Sequence, residues 1–267
     1  GFAAYRILPA AQIVYRGFAR LKFSTPALDA ISRDLALPED VQPDAGNPLV
    51  PRREIRLEGI RFGYPAAKHK PVLDNFSLVI PANTTVGMVG RSGAGKSTVM
   101  DLLLGLLTPQ AGTLSVDGIA VTGANVANWQ RAVGYVPQQI YLADATLAEN
   151  IAFGLPKGEI DMDAVERAAR AAQIHDFIVG ELPDGYETNA GDRGIRLSGG
   201  QRQRIGIARA LYRDPAVLFM DEATSALDVE TEDALNEAIR ILSGNKTIVI
   251  IAHKEKSLRH CQHVVHI

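Results

Sequence analysis

Residues 90–98 read GRSGAGKST, a glycine-rich run that closes on a lysine and two hydroxyls. Phosphate oxygens need several hydrogen-bond donors at short range. Successive backbone N–H groups and a helix N-terminus supply them, and glycines let the backbone approach without a Cβ in the way. Gly90, Gly95, Lys96 and Ser97 occupy every fixed position of the pattern G-x-x-x-x-G-K-[ST]. On that reading Gly90, Arg91, Ser92, Gly93, Ala94, Gly95, Lys96, Ser97 and Thr98 form a cradle for a nucleoside triphosphate. Lys96 carries a mobile positive charge to the β and γ phosphates, and the Ser97 hydroxyl can ligate Mg2+.

A second stretch agrees with the first. In AVLFMDEATSALD five apolar residues, Ala216 to Met220, run straight into Asp221 and Glu222. That is the pattern of a central parallel strand, buried on both faces, whose end meets ligand at the sheet edge. Asp221 is placed to hold the Mg2+ shell through water, and Glu222 to orient or deprotonate an attacking water. Capping of a following helix is the plainer use of such acids. The complete phosphate loop upstream weighs for catalysis.

A third stretch raises a question. LSGGQRQRIGIARAL, residues 197–211, again offers a serine and two glycines, Ser198, Gly199 and Gly200, at the start of a helix. The spacing packs that helix through Ile205, Ala208 and Tyr212 and leaves Arg202, Arg209 and Arg213 on another face, so that its N-terminus can meet an anion. One triphosphate does not need two such loops from one chain.

The elements that must position these residues follow from periodicity. TTVGMVG reads as a buried strand running into Gly90, and STVMDLLLGLL as the helix after it. EIRLEGIRFGY alternates apolar with charged residues, and FSLVI precedes a proline and a turn, which predicts a small antiparallel sheet. PEDVQPDAGNPLVP, residues 38–51, holds four prolines and reads as a linker with a boundary near Pro51. From Gly1 to Leu28 four cations, Arg6, Arg16, Arg20 and Lys22, and no acid are interleaved with apolar residues. Both a plain amphipathic helix and the cytosolic end of a membrane helix fit that stretch.

A formal net charge of −2 over 267 residues gives no global basic field, which argues against nucleic acid as a partner. The single cysteine, Cys261, excludes an internal disulfide and fits a reducing compartment. No apolar run approaches the twenty or so residues that a membrane helix needs. His260, Cys261, His263 and His266 crowd together near the C-terminus without the paired spacing of a zinc site, and the Val264-Val265 pair among them suggests a strand.

Taken together, LSGGQRQRIGIARAL after a phosphate loop and before LFMDEATSALD strongly resembles the ATP-binding cassette (ABC) ATPases, from about Arg53 to Ile267. The resemblance implies an α/β fold: a P-loop NTPase core with a mostly parallel sheet, an antiparallel β subdomain, and an α-helical signature subdomain at about 139–213. The cassette is then 52–267, preceded by an extension and linker, 1–51. It implies an ATPase using ATP and Mg2+. Two cassettes pair head to tail, and Ser198, Gly199, Gly200 and Gln201 of one chain close on the γ phosphate held by the other, which accounts for the second glycine loop. By the family's motifs, Tyr64 in RFGYP stacks on adenine, and Gln138 in YVPQQ reaches Mg2+ and the attacking water. Asp228 in SALD communicates across the dimer, and His253 in TIVIIAHK contacts the γ phosphate.

Some positions depart from the family's habit. Lys254 stands where arginine is frequent, and Asp192 stands where glutamate is usual in the crossing loop TNAGDRGIRLSGG. Family members commonly continue past the point reached at Ile267, so the reading includes a truncated C-terminus. The exporter-type crossing loop and the basic N-terminal stretch imply an exporter with its transmembrane domain fused upstream. It would work at the cytosolic face of a membrane, a bacterial inner membrane in the full-length protein. The ATPase subunit of an importer and a soluble ABC ATPase are the alternatives. YRILPAAQIVYRGFARLKFSTPALDAI and PQQIYLADATLAENIAFG faintly resemble exporters of lipid-linked oligosaccharides or polysaccharides.

Overall fold

The computed structural model describes residues 2–36, 46–65, 71–221, 237, 239–252, 258–259 and 261–267. They fall into two units, Gly1–Gln42 and Pro43–Ile267. The described part of the first is one helix, α1 (Phe2–Leu35), with Ile7, Leu8, Ile13, Val14, Phe18 and Leu21 exposed. It runs through Pro9 and Pro26, each of which removes one backbone donor without ending the helix. No described helix is long and apolar enough to cross a membrane.

In chain order the second unit contains β1 (Glu54–Phe62), β2 (Leu73–Pro81), β3 (Thr85–Val89), α2 (Lys96–Leu103), β4 (Ala111–Val116), β5 (Ile119–Ala120), α3 (Val126–Arg131) and β6 (Val133–Val136). There follow α4 (Leu147–Ile151), α5 (Met162–Ala171), α6 (His175–Glu181), α7 (Gly199–Leu211), β7 (Val217–Asp221), β8 (Thr247–Ile251) and β9 (His263–His266). The strands form an antiparallel sheet in the order β2-β1-β4-β5 and a parallel sheet in the order β6-β7-β8-β3-β9. The α/β class read from the sequence is the one found.

Period-two alternation divides the core. Val217 and Phe219 of β7, with Val249 and Ile251 of β8 and Val86 and Met88 of β3, pack under Ile55, Leu57 and Ile60 of the antiparallel sheet and under α2. Leu218, Met220, Ile248 and Ile250 pack on the other side with Leu147, Ile151, Val165, Ile205 and Ala208 of the helical region. With both faces covered, the strands have no polar side, which is why they read as unbroken apolar runs. Parallel pairing also sets every C-terminal strand end on one edge, so Val89, Val136, Asp221 and Ile251 end their strands on the same side of the sheet.

Two contacts make testable claims about stability. Trp129, the lone tryptophan, is 0% exposed; its Nε1 donates to the Leu103 carbonyl at 2.7 Å and its ring meets Phe219 edge-on. Trp129→Phe keeps an aromatic filling but leaves that carbonyl without its donor. Urea unfolding is expected to show a loss of about 1–3 kcal/mol.

Asp117 and Gly118 make the tight turn between β4 and β5, both with positive φ (51° and 86°), as a two-residue Asp-Gly hairpin requires. The Asp117 carboxylate accepts from the backbone N–H groups of Arg52, Arg53 and Glu54 at 2.7–2.9 Å, fastening the start of β1. Burial raises its pKa, but the three amide donors and the charge of Arg53 outweigh that and hold the carboxyl below its ordinary value. A depressed folded pKa contributes stability that is present above the unfolded value and lost as pH falls through the folded one. The stability gap between wild type and Asp117→Asn is therefore expected to be open at pH 6 and to shrink below about pH 4. A gap independent of pH would show that the carboxylate charge has no part in the clasp.

Candidate functional site

Gly95 caps the N-terminus of α2 with φ 103°, and a Cβ there would stand 3.2 Å from both Val72 Cγ1 and Leu73 Cδ2. The conformation demands glycine, and a side chain would also have to displace those two methyl groups by a few tenths of an ångström. The turn aims the first amides of α2 into a pocket of about 310 Å³ lined by Tyr64, Val72, Ser92, Gly93, Gly95, Lys96, Ser97 and Thr98. Lys96 is only 6% exposed, and its Nζ donates to the carbonyls of Gly90 (2.9 Å) and Arg91 (3.0 Å). Its charge is held at the mouth of the loop by neutral oxygens that a phosphate can replace. Tyr64 stands at the rim, edge-on to Phe62, with its hydroxyl 3.3 Å from Thr98 Oγ1.

Asp221 ends β7 on the same sheet edge that carries the loop, and Gln138 follows β6 on that edge with an exposed side chain. Burial, followed by the negative charges of Asp221 and Asp101, pushes the Tyr135 phenol up. Burial likewise pushes Asp101 up. Glu222, Asp228, His253 and Lys254 lie outside the described residues.

The second glycine loop opens a separate helix. Ser198 is the N-cap of α7; its Oγ accepts from Gln201 N at 3.2 Å, and the Gln201 side-chain oxygen accepts from Ser198 N at 2.8 Å. This reciprocal pair is a capping box, which holds the helix start in one conformation. Ser198 and Gly199 are exposed and Gly200 is buried.

A profile of the family described as ABC transporter matches residues 73–225. The chain belongs to the ABC transporter family. ABC transporter B family member 15 of Arabidopsis thaliana is 42% identical over 208 residues, 78% of this chain and 16% of that protein. The ABC multidrug transporter MDR1 of Cryptococcus neoformans var. grubii serotype A is 42% identical over 212 residues, 79% of this chain and 15% of its own. This chain thus spans a small part of the relatives' length. Among solved structures, a bacterial Atm1-family ABC exporter with ATP bound covers 100% of this chain and 46% of its own, with a TM-score of 0.78 and 32% identity. The resemblance to an exporter-type ABC cassette is matched in sequence and in fold, and the ATPase assigned from the motifs stands on that membership.

Within the cassette some side chains go where the spacing did not send them. Ile205 and Ala208 are buried as expected, but Arg202 and Arg209 are not simply a polar face. Arg202 Nη1 donates to Leu197 O at 2.6 Å and Gly194 O at 3.4 Å, tying α7 to the crossing loop. Asp192 starts a short 3-10 turn in that loop and is exposed. Gln201, which the family's motif assigns to the nucleotide of a second chain, is engaged with Ser198 in the cap. Val72, on the pocket wall, carries no motif. Val264 and Val265 lie in β9, and burial against β3 pushes the Cys261 thiol up to about 11, so it remains protonated at neutral pH.

Proposed function

We propose that the chain is the ATP-hydrolysing cassette of an exporter and that two copies pair head to tail around shared nucleotides. The loop 90–98 of one chain and Ser198–Gly200 of the other flank each ATP. One observation carries this reading. The pocket at α2 is lined by Tyr64, Val72 and residues of 92–98, with no contribution from 197–201, while Ser198 and Gly199 stand exposed at the head of another helix. Two anion-binding helix starts that do not share a pocket in one chain converge when a second chain turns its signature loop onto the first chain's phosphate.

The reaction is in-line attack of water on the γ phosphorus, breaking its bond to the bridging oxygen, with catalysis by positioning and charge stabilisation. Loop amides and Lys96 bind the phosphates. Ser97, Asp221 and Gln138 offer hydroxyl, carboxylate and amide oxygens, the donor type that suits Mg2+, and would hold it. When bound, the ion neutralises charge on the β and γ oxygens. Among the described residues no group of three or more His, Cys, Asp or Glu could hold a metal by itself. Glu222 orients or deprotonates the water; His253 and the partner's Ser198 and Gly200 meet the γ phosphate in the closed pair.

Closure and reopening form a two-state element biased by the γ phosphate. In this reading the work passes to membrane helices, α1 being the cytosolic end of one, and the cassette sits at the cytosolic face. The B-family and multidrug names of the relatives and the exporter neighbour support export over import. None of them supports a lipid-linked saccharide, so that substrate is not carried forward. The test is the ATPase rate per chain against chain concentration. It is expected to rise until pairing saturates; a flat rate over a range where light scattering reports monomer overturns the reading.

A further inference from the structure

Arg209 sits near the C-terminal end of α7, three turns or about 16 Å from Ser198. Its guanidinium is half-buried, and each of its contacts leads to one segment, residues 141–153. Nε donates to Asn150 O at 2.8 Å, Nη1 to Tyr141 O at 2.9 Å and Nη2 to Asn150 Oδ1 at 3.2 Å, while Cζ lies 4.7 Å from the centre of the Phe153 ring. All three acceptors are neutral. A partly desolvated cation with only neutral partners gains no ion-pair attraction to offset its lost hydration, so stability alone accounts for it poorly.

Asn150 organises the segment that Arg209 grips. It is 0% exposed; its Oδ1 accepts from Ala143 N, and its Nδ2 donates to the carbonyls of Ala143, Ala145 and Thr146. The residues after Gln138 are thereby wrapped around one amide. A second contact seats the same stretch on the middle of α7, where a Cβ on Gly206 would overlap the Ile140 side chain. The planar fork of Arg209 then fixes the helix end, holding Tyr141 and Asn150 in the set directions of its three N–H donors, which the freely rotating head of a lysine does not impose. Phe153 and Tyr141 remain 54% and 58% exposed, so the gripped segment is open to outside contact while its inner side is locked to α7.

We propose that Arg209 is a positioning residue for ATP hydrolysis: it locks segment 141–153 to the signature helix and so sets where Ser198–Gly200 stand against the partner's nucleotide. This rests on the composite-site reading above. A helix is stiff over three turns, so a shift at its gripped end reappears at its head. Misplacement by a fraction of an ångström there lowers turnover without touching the chain's own phosphate loop.

The experiment compares wild type, Arg209→Gln, Arg209→Lys and Ser198→Ala in the full chain. It measures ATP bound per chain, its Kd, KM, and kcat per nucleotide-binding chain. Arg209→Gln is expected to bind ATP with a Kd and KM within about twofold of wild type and to lose on the order of tenfold in kcat. Arg209→Lys, which keeps the charge and the stem and guards against a misfolded Gln variant, is expected to fall between the two. A purely structural arginine would lower the number of binding chains and leave kcat per binding chain unchanged, which overturns the proposal. If Ser198→Ala loses turnover while both Arg209 variants keep it, the positioning role fails alone. If Ser198→Ala keeps wild-type kcat, the composite site itself fails.

Discussion

The Lys96→Ala chain will bind ATP roughly a hundredfold more weakly and turn it over on the order of a thousandfold more slowly. The side chain is 6% exposed and already docked on its own loop through Gly90 O and Arg91 O. Little conformational freedom remains to be lost when phosphate oxygens replace those carbonyls, so the full charge-assisted bond contributes to binding. The amides of α2 stay in place in the variant, because Gly95, not Lys96, sets the turn that aims them. Residual binding is therefore expected, with the larger loss in the transition state, where charge on the transferring group must be matched. Titration calorimetry and phosphate release measure the two quantities. Retention of both within tenfold would remove Lys96 from the chemistry.

Glu222→Gln is expected to separate binding from hydrolysis in the opposite sense: kcat down by about two to four orders of magnitude, with Kd for Mg-ATP close to wild type. Asp221 fixes the geometry for that expectation. It is the last residue of β7, paired in register with Ile251 of β8 at the edge that carries the phosphate loop. By the family's motif the residue after it, Glu222, is the one assigned to the attacking water. Glutamine keeps the size and hydrogen bonding of glutamate but cannot take a proton. A Kd that rises as steeply as kcat falls would assign Glu222 to binding instead.

Much of this was readable in the one-dimensional pattern because it depends on local rules. The unbroken apolar run before Asp221 announces a strand covered on both faces whatever covers it, and the glycine at 95 needs a positive φ; both are visible without knowing the distant partners. The serine followed three residues later by glutamine at 198–201 is also a local signal, that of a capping box. Arg209 is different in kind. Helical spacing places it beside Arg202 and Arg213, but its acceptors lie about sixty residues away in sequence at Asn150 and Tyr141, and only the packing of α4 on α7 brings them together. Val72 likewise becomes a wall of the phosphate pocket through the meeting of β2 with the α2 turn, which no periodicity announces.

The central claim is that the second glycine loop serves the ATP of another chain. The most direct test is the molar mass in solution of Glu222→Gln with and without Mg-ATP, with Glu222→Gln/Lys96→Ala as control. The mass is expected to double with Mg-ATP in the first and to stay at the monomer value in the second. A Glu222→Gln chain that binds ATP at full stoichiometry yet remains a monomer would contradict it.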